Sequence, residues 1–254
     1  MKHIKNILLI GILLLTYSCS SVRYVPNSIN IPLMQQKGQV SANLALGATA
    51  QTAGVEISTA VAVSNKIAVM GNFNGSGSAS GDRINLGEFG GGYFKRIGNH
   101  GSFETYAGWG GGRILTPTGT LYSKNSSGND TTVFVNGIKI NYNRAFLQAT
   151  IGYSNSYVDF AGGFRYCYLN YNHGFNPYND QFPNIDSRGV HLLEPTVLFR
   201  FGYRAFKFSI QYTTTLDLSK SNLIYHSGLI NIAFGMHLNF NSKKHPPTNY
   251  LQDL

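Results

Sequence analysis

The chain has 254 residues, of which only 12% are charged, while 13% are aromatic and 29 are glycine. A soluble domain carries about twice that charge; the aromatics exclude a disordered chain, the glycines a helical bundle and the low charge a coiled coil. The net charge of +9 falls near +7 without Lys2 and Lys5, and its scatter along the chain suits anionic headgroups better than nucleic acid.

The first element is an export signal over 1–18. Lys2 and Lys5 precede the apolar run from Ile7 to Leu15, too short for a transmembrane helix, which needs roughly 20 residues. Thr16-Tyr17-Ser18-Cys19-Ser20-Ser21 follows, with a small residue directly before the cysteine. This resembles the lipobox of bacterial lipoproteins, although Thr16 stands where that family has an aliphatic residue. The resemblance implies acylation of Cys19 and passage through the lipoprotein export machinery; an ordinary secretory signal is the alternative. Cys167 is then left without a disulfide partner, so the fold must be stable by itself. Residues 19–38, with Pro26 and Pro32, are expected to form a lipidated linker or a plug entering a barrel lumen from below.

From Gln39 the hydropathy period is two, and the spacing predicts strands over 39–48, 51–63, 66–74, 83–97, 101–115, 142–153, 157–170, 194–203, 205–217 and 229–240. The last four alternate most clearly. Val197, Phe199, Phe201 and Tyr203 oppose Glu194, Thr196 and Arg200; Phe206, Phe208 and Ile210 oppose Lys207, Ser209 and Gln211. The glycine-rich pair 83–97 and 101–115 is the least regular. Most segments approach the roughly 9–11 residues that a tilted strand needs to cross a bilayer.

Connections around residues 64–66, 98–101, 154–156 and 203–205 are tight, whereas 75–82, 116–135, 171–190 and 218–228 are longer; only the first, near Thr49-Ala50, breaks the alternation. That pattern fits an all-β, up-and-down antiparallel transmembrane barrel of about ten strands, within a range of eight to twelve. An even strand count places both ends of the barrel at the short-turn rim, and the expected lipid anchor with them. A soluble lipocalin-like barrel that binds a ligand is the competing reading, but its outer face should carry more Lys and Glu.

Residues 39–240 resemble the small outer-membrane β-barrels of Gram-negative bacteria, including porin-like lipoproteins. The most specific match is in the last strand, where Gly235, Leu238 and Phe240 fit the signal that this family presents to the barrel-assembly machinery. Residues 241–254 continue beyond it as an expected periplasmic tail. By alternation, Glu56, Glu88, Glu104, Arg144, Asp159, Arg165, Glu194, Arg200, Lys207 and Asp217 face the lumen. A lone charge there is costly to desolvate, so an ion-pair network plugging the lumen is the favoured reading and a narrow channel for ions or small solutes the alternative.

The polar residues suggest no catalytic constellation. His226-Ser227 falls in a loop or at a strand start, His237 points inward, and no helix start follows Gly90-Gly91-Gly92 or Gly108-Trp109-Gly110-Gly111-Gly112. Close strand packing explains those glycines better than phosphate binding. Cys167 lacks the companions of a metal site. The expectation is a non-enzymatic, cofactor-free barrel, with outer-membrane lipid around it, no nucleic-acid partner and an unspecified surface ligand. The aromatic and Asn-rich loop 171–190 resembles an adhesive or carbohydrate-contacting surface or a weak calcium site, but a surface loop folded on its own aromatics is the favoured reading.

Overall fold

A computed structural model describes residues 24–117, 119–124, 130–135, 138–175, 189–219, 225 and 227–240. The signal, Cys19, the tail 241–254 and most of the 171–190 loop lie outside the described residues. The strands are β1 (Gln39–Ala48), β2 (Thr52–Ala62), β3 (Ile67–Ser78), β4 (Arg83–Ile97), β5 (Gly101–Thr116), β6 (Gly119–Lys124), β7 (Asp130–Val135), β8 (Ile138–Ser154), β9 (Val158–Phe175), β10 (Val190–Tyr203), β11 (Phe206–Thr214), β12 (Leu216–Asp217) and β13 (Gly228–Asn239). There is no helix among the described residues.

Ten of these strands close a barrel. β1 through β5 pair in sequence, β5 passes to β8, β8 through β11 continue, and β11 pairs with β13, which returns to β1. All these pairings are antiparallel, and the seam matches Gln39 with Asn239 and Ala48 with Ile230. Closure leaves no free sheet edge, the condition for strands to cross hydrocarbon.

Strands expected over 39–48 and 83–97 have those limits. The segment 205–217 divides instead. Thr214 is the last residue of β11 opposite β13, Thr215 turns its N–H to the Ser227 carbonyl, and Leu216–Asp217 pairs with β10 alone. The connection 116–135 contains the ribbon of β6 and β7, paired from Gly119–Val135 to Lys124–Asp130.

The β2–β3, β4–β5, β8–β9 and β10–β11 connections define a short-turn rim. Arg204, in the last of these turns, has φ 52°, the left-handed conformation unusual for a residue with a Cβ. The opposite rim carries the β3–β4, β5–β8, β9–β10 and β12–β13 connections. It also carries the short β1–β2 turn, which the Thr49 hydroxyl caps by accepting the Thr52 N–H at 3.0 Å.

Alternation now acquires a direction. Phe199, Phe208 and Phe234 are 44%, 51% and 45% exposed on the outer wall, whereas Arg200 and Lys207 are 4% and 3% exposed inside. Leu44, Leu46, Ile57, Phe73, Phe89, Trp109, Leu147, Phe160 and Ile232 extend the outward apolar surface round the barrel. An apolar belt this broad is incompatible with water and matches the lipid-facing band of membrane barrels.

Glycines make room inside. A Cβ on Gly112 would lie 2.3 Å from Tyr142 Cζ, and one on Gly108 would lie 2.4 Å from Phe146 Cζ. The β4–β5 glycine runs therefore let two β8 rings fold inward against the wall, which is a packing role.

Candidate functional site

The lumen is occupied by the chain itself. Residues 24–35 descend through it before the chain joins β1, and Tyr24, Val25, Asn27, Ile29, Asn30, Ile31, Leu33 and Met34 are all buried. The apolar members fill space between polar walls, while the backbone of this plug supplies hydrogen bonds to lumen side chains. Its contacts form three levels.

At the upper level, Tyr24 donates its hydroxyl to Glu194 Oε1 at 2.6 Å and accepts Arg144 Nη1 at 2.6 Å. Asn27 donates to Glu88 Oε2 at 2.9 Å, while its own side-chain oxygen accepts Arg144 Nη2 at 2.5 Å and Arg165 Nη2 at 2.8 Å. Three ion pairs complete this cluster, Arg144–Glu88 at 2.5 Å, Arg165–Glu194 at 2.6 Å and Arg165–Glu88 at 3.6 Å, with fully buried side chains. A buried pair withstands desolvation only with good geometry and further hydrogen bonds, and Tyr24 and Asn27 provide these.

At the middle level, the Ser28 N–H lies 3.0 Å from both Glu56 oxygens, and Ser28 Oγ also donates to that carboxylate. Asn74 and Asn231 add donors at 2.8 and 3.1 Å. Asn30 donates to the Thr59 carbonyl at 2.9 Å and to Asn72 at 3.0 Å, and its own carbonyl accepts Gln148 at 2.8 Å. The Ile29 carbonyl accepts Gln211 at 3.0 Å.

At the lower level, Leu33 has φ 54°, a strained conformation for a residue with a Cβ. Its N–H and that of Met34 both point at Glu104, at 3.1 and 2.6 Å. Ser102 Oγ donates to the Met34 carbonyl at 2.6 Å, and Arg200 donates to the Ile31 carbonyl. Beside them Lys207 pairs with Asp159, and Arg200 lies 3.6 Å from the same carboxylate.

The structure thus places nine of the ten expected charges inside, but they do not make one network. Arg144, Arg165, Glu88 and Glu194 form an upper ionic cluster, and Asp159, Arg200 and Lys207 a lower one. Glu56 and Glu104 instead hold plug amides, and the described residues give neither an ion pair. Asp217 keeps the inward parity but joins neither cluster. It sits half-exposed in β12 at the long-loop rim, where it accepts the Ser219 N–H at 2.8 Å, outside both clusters. Thr215 is buried and Leu216 exposed, so the alternation runs unbroken through Thr215 and Asp217 shares a face with buried Leu192; its place at the rim is what leaves it half-exposed and apart from both clusters.

Sequence reading did not identify Tyr24, Asn27, Ser28 or Asn30 as partners of these charges. Their available signal was a run of polar residues interleaved with Ile29, Ile31 and Leu33, a strand-like alternation without a strand neighbour. At the last strand, Gly235 stands opposite Asn43, and Leu238 opposite Val40. Phe240 lies one residue beyond β13, exposed outward, with its N–H on the Gly38 carbonyl at 3.1 Å.

A closed ten-stranded sheet, greasy outside and charged inside, defines a transmembrane up-and-down antiparallel β-barrel. No family model and no curated protein matches the chain. Among solved structures, it is similar to the translocator domain of the autotransporter NalP from Neisseria meningitidis, at 12% identity over 80% of this chain and 88% of that one, with a TM-score of 0.40. It is also similar to the NanC porin, at 10% identity over 79% of this chain and 98% of that one, with a TM-score of 0.31. These likenesses are low, and the barrel is established by the chain's own strand register.

Proposed function

We infer that the chain is a non-enzymatic outer-membrane barrel lipoprotein, exported by its signal and acylated at Cys19. It presents loops for a structural or interaction role, and its lumen is closed to solutes. The observation that carries this reading is the plug. All of residues 24–35 but half-buried Ser28 and Gln35 are buried, and the segment is hydrogen bonded by side chains reaching inward from β2 round to β11. A solute would have to displace both the plug and the water-excluded ion pairs it completes, and each broken buried pair costs about 3–5 kcal/mol. The apolar outer wall favours lipid over a soluble ligand-binding role. Its partners on this reading are the lipoprotein export machinery, the barrel-assembly machinery and outer-membrane lipid.

Planar-bilayer conductance tests the closure. The purified full chain should give no discrete current steps, and a variant lacking residues 24–34 should give stable ones. Steps of equal size from both proteins overturn the closed reading and establish the narrow channel in its place. Fatty-acid labelling lost in Cys19→Ser tests the anchor separately.

A further inference from the structure

The direction of the plug decides on which side of the membrane the N-terminal end lies. Gln35, its last residue, donates to the His100 carbonyl at 3.3 Å in the β4–β5 turn, at the short-turn rim. Eleven residues earlier, Tyr24 forms a parallel β-bridge with Tyr225, in the connection that leads into β13 from the long-loop rim. That connection is fastened to the same rim by the Thr215 N–H on the Ser227 carbonyl at 2.8 Å.

Parallel pairing also fixes a direction for the chain at Tyr24. The chain from Tyr225 descends into β13, so a parallel neighbour at Tyr24 descends as well. At Tyr24 the chain therefore runs from the long-loop rim towards the short-turn rim. The even strand count places the N-terminal anchor with the C-terminal strand end; that position belongs to Gln39 and Asn239, which pair at the short-turn rim, and not to Tyr24.

We propose that the N-terminal end is threaded through its own barrel and emerges at the long-loop face. Cys19 and its acyl group then anchor in the leaflet on that side, opposite the C-terminal tail. Tyr24 lies five residue steps from Cys19, a reach of at most about 16–18 Å when extended, which keeps the anchor beside the rim. The chain so held is a doubly secured surface element, with a lipid on one face and a closed wall around the segment that follows. This inference rests on the outer-membrane lipoprotein reading above.

The test uses the full chain in the outer membrane of intact cells. A recognition sequence for a specific, membrane-impermeant protease is inserted between Ser21 and Val22, after the exposed Ser80 of the β3–β4 loop, or after Leu254, and heat-modifiable migration confirms a folded barrel each time. The expected result is cleavage at the N-terminal and Ser80 sites in intact cells, with the Leu254 site cut only after lysis. Protection of the N-terminal site together with Leu254, while Ser80 is cut, overturns the threading and leaves the barrel standing. Protection of Ser80 sinks the barrel orientation itself. A Val22→Cys, Cys167→Ser variant labelled with an impermeant maleimide reads the same topology without an insertion; label excluded from intact cells but admitted after lysis overturns the proposal.

Discussion

Glu104→Ala removes the one carboxylate that holds the strained end of the plug. Glu104 accepts the Leu33 and Met34 N–H groups at 3.1 and 2.6 Å in a fully buried setting. Hydrogen bonds to a charged group contribute about 1.5–3 kcal/mol each, so two amount to about 3–6 kcal/mol. Alanine also ends the burial of a carboxylate, which offsets part of the loss, and the left-handed Leu33 backbone is freed to relax. The lower end of the range is therefore expected. At 1.4 kcal/mol per factor of ten, amide exchange at Leu33 and Met34 should accelerate about a hundredfold. Hydrogen exchange of the barrel in lipid nanodiscs, read on the peptide spanning residues 31–36, measures this. Ser28, held by Glu56 at the middle level, serves as the internal reference and should change little. Glu104→Gln, which keeps one amide acceptor, should fall between. Unchanged protection at Leu33 and Met34 in the alanine variant would refute the clamp.

Three further outcomes follow from the same geometry. Arg165→Met leaves the Glu194 carboxylate without its 2.6 Å partner and should destabilise the barrel by about 3–5 kcal/mol in urea-driven unfolding, with much of the loss recovered in the Arg165→Met, Glu194→Gln double variant. Gly112→Ala forces a methyl against the Tyr142 ring and should cost about 1–3 kcal/mol; the cost should shrink when measured in a Tyr142→Leu background, and equal costs in both would refute the packing role. Ile232→Arg puts a cation on the outer wall and should cost about 2–4 kcal/mol for folding into vesicles, whereas no effect on insertion would argue that the wall does not face hydrocarbon.

The outer wall was legible because lipid imposes one simple demand on every second residue. Phe199, Phe208 and Phe234 could be assigned to it from alternation alone. The glycine-rich strands were harder to orient, since Gly90, Gly91 and Gly92 carry no side chain to report a face; their limits were nonetheless readable from the flanking turns. The β6–β7 ribbon was missed although Thr131-Thr132-Val133-Phe134-Val135 has strong strand propensity. The asparagine, serine and glycine cluster before it reads as loop, which hides the short strands on either side. In the lumen, alternation identified which charges point inward but not what satisfies them. Glu56 and Glu104 are held by main-chain N–H groups, which every residue possesses and no sequence pattern marks. Alternation gives Asp217 its face but not its height: it lies at the long-loop rim, away from both clusters.

The plug's bonds also set an order of events during synthesis. Ile29 waits for Gln211, 182 residues later, and Tyr24 waits for Glu194, 170 residues later. The earliest-made ordered segment can therefore be seated only when the closing strands exist, a high-contact-order route that folds slowly. Until then each half-built wall must keep its carboxylates and guanidiniums hydrated. Water leaves the interior as the seam shuts, and opening it again requires those groups to separate before any solvent can reach them. Such an arrangement slows escape from the native state more than it speeds arrival, so persistence once formed is what the buried segment confers.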